Sequence, residues 1–66
     1  MLTTREMQCL AGLARGLSNS EIAKQLEISL ATVALHIGNA RRKLGAKTRE
    51  QAVALAVKQG LIDLVS

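Results

Sequence analysis

Apolar residues recur every three or four positions along most of this 66-residue chain, a period typical of amphipathic α-helices. Interruptions of the pattern predict four helices, at about residues 4–15, 19–26, 30–44 and 49–59. The predicted inward faces of the first and third helices are Met7, Cys9, Leu10, Leu13, Ala14 and Leu17, and Val33, Ile37, Ala40 and Leu44. After the fourth helix, the residues expected to fold back onto the core are Leu61, Ile62 and Leu64. We therefore predict one small all-α domain over residues 1–66, built from four helices.

The ends of these helices are marked by short polar signals. A capping box, in which a Ser or Thr is followed three residues later by Glu or Gln, is expected at Thr3, Ser18 and Thr48. Glycines expected to end the first, third and fourth helices are Gly16, Gly45 and Gly60.

The second and third predicted helices are joined by a three-residue turn, Glu27-Ile28-Ser29. Ser29 is a natural N-cap for the helix that follows. Ala23 is small enough to let the two helices cross closely, and Ile28 can fill the corner between them. This pattern is typical of a helix-turn-helix, whose second helix is built to lie in a DNA major groove.

Charge favours a nucleic-acid partner. The formal net charge is +4, and five cations fall in one stretch: Arg41, Arg42, Lys43, Lys47 and Arg49. An alternative is that these cations only stabilise the C-terminal end of a solvated helix. The chain has no Phe, Tyr or Trp on which a single-stranded base could stack. If the partner is nucleic acid, double-stranded DNA is therefore favoured.

The candidate chemistry does not indicate an enzyme. One cysteine and one histidine provide no disulfide, metal cluster or catalytic triad, so we expect no metal and no cofactor. We interpret Cys9 as a buried thiol and not a redox sensor. His36 is interpreted as structural, at the edge of the core and hydrogen-bonded near the turn, with a phosphate contact as the second possibility. No signal peptide or membrane-spanning run is present in these residues, so a cytoplasmic location is expected.

The fourth predicted helix is apolar on all sides over residues 52–57. A helix with one neighbour needs only an apolar stripe, so the surplus predicts a second buried face and a homodimer. The predicted dimer contact is Val53, Leu55, Ala56 and Val57. Alternatively, the alanines are simply exposed and the segment after the helix covers the remaining apolar surface.

The chain resembles the LuxR-type helix-turn-helix domain over about Leu2 to Ile62. The residues that carry the resemblance are Leu2 to Glu6, Gly16 to Ala23, Ile28 to Val33, His36, Asn39, Lys43 to Gly45, and Arg49 to Val53. The resemblance implies the C-terminal DNA-binding domain of a bacterial transcriptional regulator, with the third helix in the major groove and the fourth at a dimer contact. It also implies a preceding receiver or ligand-sensing domain. Met1 lies two residues before the first cap, so we expect the chain to be a very small protein or, as we favour, part of a longer one.

The third helix departs from the family where bases would be read. The family often has Lys or Arg directly after the Thr-Val pair and again four residues later, where this chain has Ala34 and Gly38. The predicted base-facing residues are Ala31, Ala34, Leu35, Gly38, Asn39 and Arg42. Among them only Asn39 and Arg42 can hydrogen-bond a base edge, although Leu35 could contact a thymine methyl group.

The sequence provides more side chains for contacts to DNA phosphates than for contacts to base edges. The predicted phosphate contacts are Ser18, Asn19, Thr32, Arg41 and Lys43, together with the helix N-termini. The leading hypothesis is thus a DNA-binding output domain. The alternative is a protein-interaction or dimerisation module on the same fold, with lost or weak base readout. Ala34 and Gly38 favour that alternative, while the basic cluster argues against it.

Overall fold

A computed structural model describes residues 1–63, and within them it contains four helices and no strand. The helices are α1 (Thr4–Ala14), α2 (Asn19–Leu26), α3 (Leu30–Leu44) and α4 (Arg49–Lys58). The predicted all-α fold is therefore confirmed. Helices α1 and α4 each end one residue before the predicted boundary. Leu64, which was expected to pack on the core, lies outside the described residues.

The N-terminal caps form largely as predicted. The hydroxyls of Thr3 and Ser18 accept from the backbone N–H three residues later, and Glu6 and Glu21 return the second bond, completing both capping boxes. The box predicted at Thr48 is incomplete. The Gln51 side-chain oxygen accepts from the backbone N–H of Lys47 at 2.7 Å, one residue before the cap.

The turn between α2 and α3 is held by backbone geometry. Glu27 adopts a left-handed conformation with φ 58°, and it is the one non-glycine residue with positive φ among those described. This conformation lets the Ile28 N–H donate to the Ala23 carbonyl at 3.1 Å, which closes the end of α2. Ser29 then caps α3 by accepting from the Thr32 N–H at 3.0 Å. The predicted helix-turn-helix connection is confirmed.

Helix α3 is the central element and packs against the other three helices. Its first half contributes to a buried cluster with α1 and α2, which comprises Cys9, Ile22, Ala23, Val33 and Ile37. Its second half contributes to a cluster with α1 and α4, which comprises Leu2, Leu10, Ala40, Ala46, Ala52, Ala56 and Ile62. Because both halves of α3 are packed from behind, the helix is fixed with its opposite face in solvent.

Two details of the core differ from the predictions. Ile62 folds back and is buried, but Leu61 beside it is 36% exposed. Gly12 lies so close to α2 that a Cβ atom on it would be 2.7 Å from Cγ1 of buried Ile22. The close crossing of α1 and α2 therefore depends on this glycine, which the sequence did not single out.

Candidate nucleic-acid interface

The outer face of α3 lies opposite the buried residues Val33, Ile37 and Ala40. All six predicted base-facing residues lie on it and are exposed or half-buried: Ala31, Ala34, Leu35, Gly38, Asn39 and Arg42. Leu35 is 57% exposed, and Leu30 at the start of the helix is 54% exposed. Leu30 is not among the residues predicted to face bases. Its position directly after the cap Ser29 indicates exposure, because a first-turn residue on the outer side of a helix has no neighbouring helix to cover it.

The two hydrogen-bonding side chains of this face contact each other. The Arg42 guanidinium donates from Nη2 to the Asn39 side-chain oxygen Oδ1. The same guanidinium lies above Gly38, where a Cβ atom would be 3.6 Å from Nη1 and 3.9 Å from Nη2. The polar part of the outer face is thus one connected pair, Asn39 and Arg42, whose guanidinium lies over Gly38.

Two of the residues predicted to contact phosphates form bonds with other groups of the protein. Lys43 Nζ pairs with Glu6 at 2.9 Å and also donates to the Met1 carbonyl at 3.4 Å. Arg41 Nη1 donates to the Ala46 carbonyl at 3.1 Å and braces the end of α3. Both cations therefore have structural partners that the sequence-based prediction did not include.

Glu6 is more than the helix cap it was predicted to be. It is 3% exposed, and besides capping α1 its carboxylate accepts two bonds from Lys43, at 2.9 and 3.1 Å. Burial alone would raise the pKa of the Glu6 carboxyl, but the hydrogen bonds from Thr3 and Lys43 and the Lys43 charge outweigh it, so the pKa is lowered. The carboxylate therefore stays ionised and ties the start of α1 to the end of α3.

The remaining predicted phosphate contacts lie at helix N-termini. Ser18 and Asn19 begin α2, and Thr32 lies in the first turn of α3, where its hydroxyl is 2.7 Å from that of Ser29. Arg49, at the start of α4, reaches across to α2 and donates from Nη1 to Asn19 Oδ1 at 3.3 Å. Arg49 was counted in the basic cluster but not among the phosphate contacts. Its pairing with a residue 30 positions away arises only from the fold.

His36 and Cys9 occupy different surroundings. His36 is half-buried at the margin of α3, and among residues 1–63 its side chain makes no hydrogen bond, so the expected bond near the turn is not formed. Cys9 is fully buried, as predicted, and burial raises the pKa of its thiol. Within the described part of the chain, no three His, Cys, Asp or Glu residues are grouped so that they could hold a metal ion.

The four residues of α4 predicted to form the dimer contact differ in their exposure. Val53, Leu55 and Val57 are half-buried and retain some surface. Ala56 is fully buried in the core with Ala52, one turn earlier on the same face, so its prediction as a dimer contact is wrong. Ala54, on the outer side of α4, is exposed instead. No helix in residues 1–63 has the length and apolar character that a membrane span requires.

A family model described as "Bacterial regulatory proteins, luxR family" matches residues 1–56. The chain belongs to this family. It is a LuxR-type helix-turn-helix domain of the kind found in bacterial transcriptional regulators, which confirms the resemblance noted above. Curated proteins similar to this chain include the transcriptional activator protein VanR of Vibrio anguillarum, 48% identical over 63 residues. The response regulator protein VraR of Staphylococcus aureus is 45% identical over 63 residues.

The luxR match extends to solved structures. The structure of the transcription factor GerE superposes with a TM-score of 0.91 at 40% identity and covers 96% of this chain and 94% of that one. The response regulator ChrA superposes with a TM-score of 0.87 at 42% identity, over 94% of this chain and 31% of that one. VanR and VraR are likewise matched over 96% of this chain but only 26% and 30% of their own lengths. The chain thus spans between a quarter and a third of the curated relatives it matches.

Proposed function

We propose that this domain binds double-stranded DNA with α3 in the major groove and acts as the output domain of a bacterial transcriptional regulator. The observation that carries the proposal is the division of α3 into two faces. Val33, Ile37 and Ala40 are buried against the other helices, while Asn39 and Arg42 lie on the outer face. A helix fixed from behind and polar in front is suited to enter a groove as a rigid body.

Phosphate anchoring would come from the N-termini of α2 and α3. Their free backbone N–H groups and dipoles favour an anion, and Ser18, Asn19 and Thr32 place polar side chains beside them. Arg49 adds a cation at the start of α2 through its bond to Asn19. Lys43 is expected to contribute little, because its ammonium already pairs with Glu6.

A homodimer through α4 is part of the proposal. Val53, Leu55 and Val57 retain surface beside exposed Ala54, which gives α4 an apolar outer strip. A twofold axis there would place two copies of α3 on successive major grooves. Val57→Glu should dissociate the dimer because it leaves an unpaired charge in the contact. Sedimentation should show this loss, whereas Gln8→Glu, which adds the same charge on α1, should leave the dimer intact.

The relatives support a role within a larger protein. VanR is named a transcriptional activator and VraR a response regulator, and this chain matches only part of each. We therefore propose that a receiver or ligand-sensing domain of the same protein controls this domain. A DNA-binding role in a bacterium would place the protein in the cytoplasm.

A protein-interaction module is the second candidate function. It is favoured by the apolar part of the outer face, where Leu30, Ala34 and Leu35 are exposed and no Lys or Arg stands at position 34 or 38. A surface of this kind could bind an apolar protein partner in place of DNA.

Titration of the chain with a duplex at several salt concentrations separates the two functions. With about three to five phosphate contacts per protomer, the slope of log K against log salt should lie between about −3 and −5. The same strand without its complement serves as the control and should bind more weakly, because the chain has no aromatic residues for stacking. No binding of any duplex at low salt would contradict the DNA-binding proposal and favour the protein-interaction module.

A further inference from the structure

We propose that Arg42 recognises one guanine in each DNA half-site, and that Asn39 is a positioning residue that holds the Arg42 guanidinium in place above Gly38. This inference rests on the proposed function, because it names the base contact that α3 would make in the groove. It is carried by two observations on the outer face of α3. Arg42 Nη2 donates to Asn39 Oδ1, and the same guanidinium lies within 3.6 Å of the Cβ position of Gly38.

The position of the guanidinium differs from the position of its Cα atom. Helical side chains lean toward the N-terminus, and Arg42 follows this direction until its charged group lies one turn back, above residue 38. The charge is therefore moved by about 5 Å along α3, away from its C-terminal end. Recognition helices contact bases mainly through residues nearer their N-termini. Gly38 leaves space where the guanidinium can occupy that more central place.

The hydrogen-bonding pattern selects guanine. An arginine has five N–H donors, and the bond to Asn39 uses only one of them, so a bidentate pair with guanine O6 and N7 remains available. Asn39 would need both its oxygen and its NH₂ group to read adenine in the same bidentate way. The bond from Arg42 occupies one lone pair of that oxygen and holds the amide turned toward the guanidinium, so Asn39 is not free to present both groups to an adenine. The pair should therefore read guanine through Arg42 and suppress adenine recognition by Asn39.

Gly38 acquires a role under this proposal. A glycine in the middle of a helix is unfavourable relative to alanine, yet here it stands within the longest helix of the domain. A Cβ atom would only touch the guanidinium at an ordinary distance, but a longer side chain would displace it. Gly38→Ala should therefore keep the guanine preference, and Gly38→Leu should abolish it.

Selection of bound sites from a randomised duplex library tests the proposal. The 66-residue chain should select sites with a fixed guanine, and replacing that guanine should weaken binding by roughly 5- to 150-fold. Arg42→Met should lose this discrimination and shift the selected base toward adenine, because Asn39 is then free. Arg42→Lys keeps the charge but lacks the planar fork, so it should bind with reduced guanine preference. Asn39→Ala should still select guanine, with smaller discrimination because the guanidinium is no longer held.

Arg5→Met is the matched control. Arg5 is an exposed arginine on α1 that donates to the Gln8 side-chain oxygen at 3.1 Å, in a pair spaced like Arg42 and Asn39. Its removal costs the same charge and should leave the selected base unchanged.

Circular dichroism of every variant should show an intact fold, because all the substituted side chains lie on the surface. If Arg42→Met selects the same guanine as the unsubstituted chain, the inference is wrong while DNA binding stands. If no duplex is bound at all, the proposed function itself fails.

Discussion

The inner and outer surfaces of this domain contain the same types of residue in different structural roles. Lys43 and Arg42 are adjacent cations, but Lys43 is paired with buried Glu6 and Arg42 lies on the outer face beside Asn39. Gly12 and Gly38 are both glycines within helices. A Cβ atom on Gly12 would be 2.7 Å from a buried isoleucine, whereas one on Gly38 would meet only a flexible guanidinium. Residue type alone does not separate these roles; the packing of α1 against α2 and α3 does.

The largest expected difference is between the two adjacent cations. Lys43→Met leaves the Glu6 carboxylate buried without its cation and should lower the free energy of unfolding by about 2 kcal/mol. This is below the usual cost of breaking a buried pair because the Lys43 side chain is itself 40% exposed. Arg42→Met should change the free energy of unfolding by less than about 0.5 kcal/mol. Urea denaturation of both variants measures the difference, and equal losses would show that the Lys43 pair is no more structural than Arg42.

The two glycines should respond to alanine with opposite signs. Gly12→Ala forces Cγ1 of Ile22 to move within a packed core and should cost about 1–2 kcal/mol of stability. Gly38→Ala should stabilise the fold by about 1 kcal/mol, because it removes a flexible residue from the helix and meets only ordinary contacts. Thermal denaturation of the pair tests this. Destabilisation by Gly38→Ala would mean that residue 38 is more closely confined than the structure indicates.

Local signals in the sequence predict most of the fold. Thr3, Ser18, Ser29 and Thr48 cap their helices because each side chain needs only the backbone N–H three residues later. The orientation of α3 follows equally from the helical spacing of its apolar residues. Ala56 was misplaced because residues 52–57 are all apolar, so the spacing of that segment does not distinguish the inward face.

Contacts between distant residues were beyond these signals. The bond between Lys43 and Glu6 joins residues 37 positions apart, and the bond between Arg49 and Asn19 joins residues 30 positions apart. Both depend on how α1, α3 and α4 pack, and no local pattern encodes that packing. The sequence therefore predicted which face of α3 is turned outward, but a count of cations does not reveal that Lys43 has a partner within the fold.

The smallest expected effect concerns the two complete capping boxes at low pH. The pKa of Glu6 is lowered in the folded state because the bonds from Thr3 and Lys43 outweigh its burial, and the pKa of Glu21 is lowered by its bonds to Ser18. A carboxyl with a lowered folded pKa contributes stability above its unfolded pKa, near 4.5, and this contribution is lost as pH falls through the folded value.

The unsubstituted chain should therefore lose stability below about pH 4.5 more steeply than Glu6→Gln, whose side chain does not titrate. Glu21→Gln is the matched control on the outer surface, where the carboxylate is exposed and the charge of Lys24 is the smallest of the causes that shift its pKa, so its pH profile should stay closer to that of the unsubstituted chain. Urea denaturation at pH values from 7 to 3 measures all three. If the Glu6→Gln profile coincides with that of the unsubstituted chain, the Glu6 pair does not contribute to stability through its charge, and the contrast between the inner and outer surfaces reduces to packing alone.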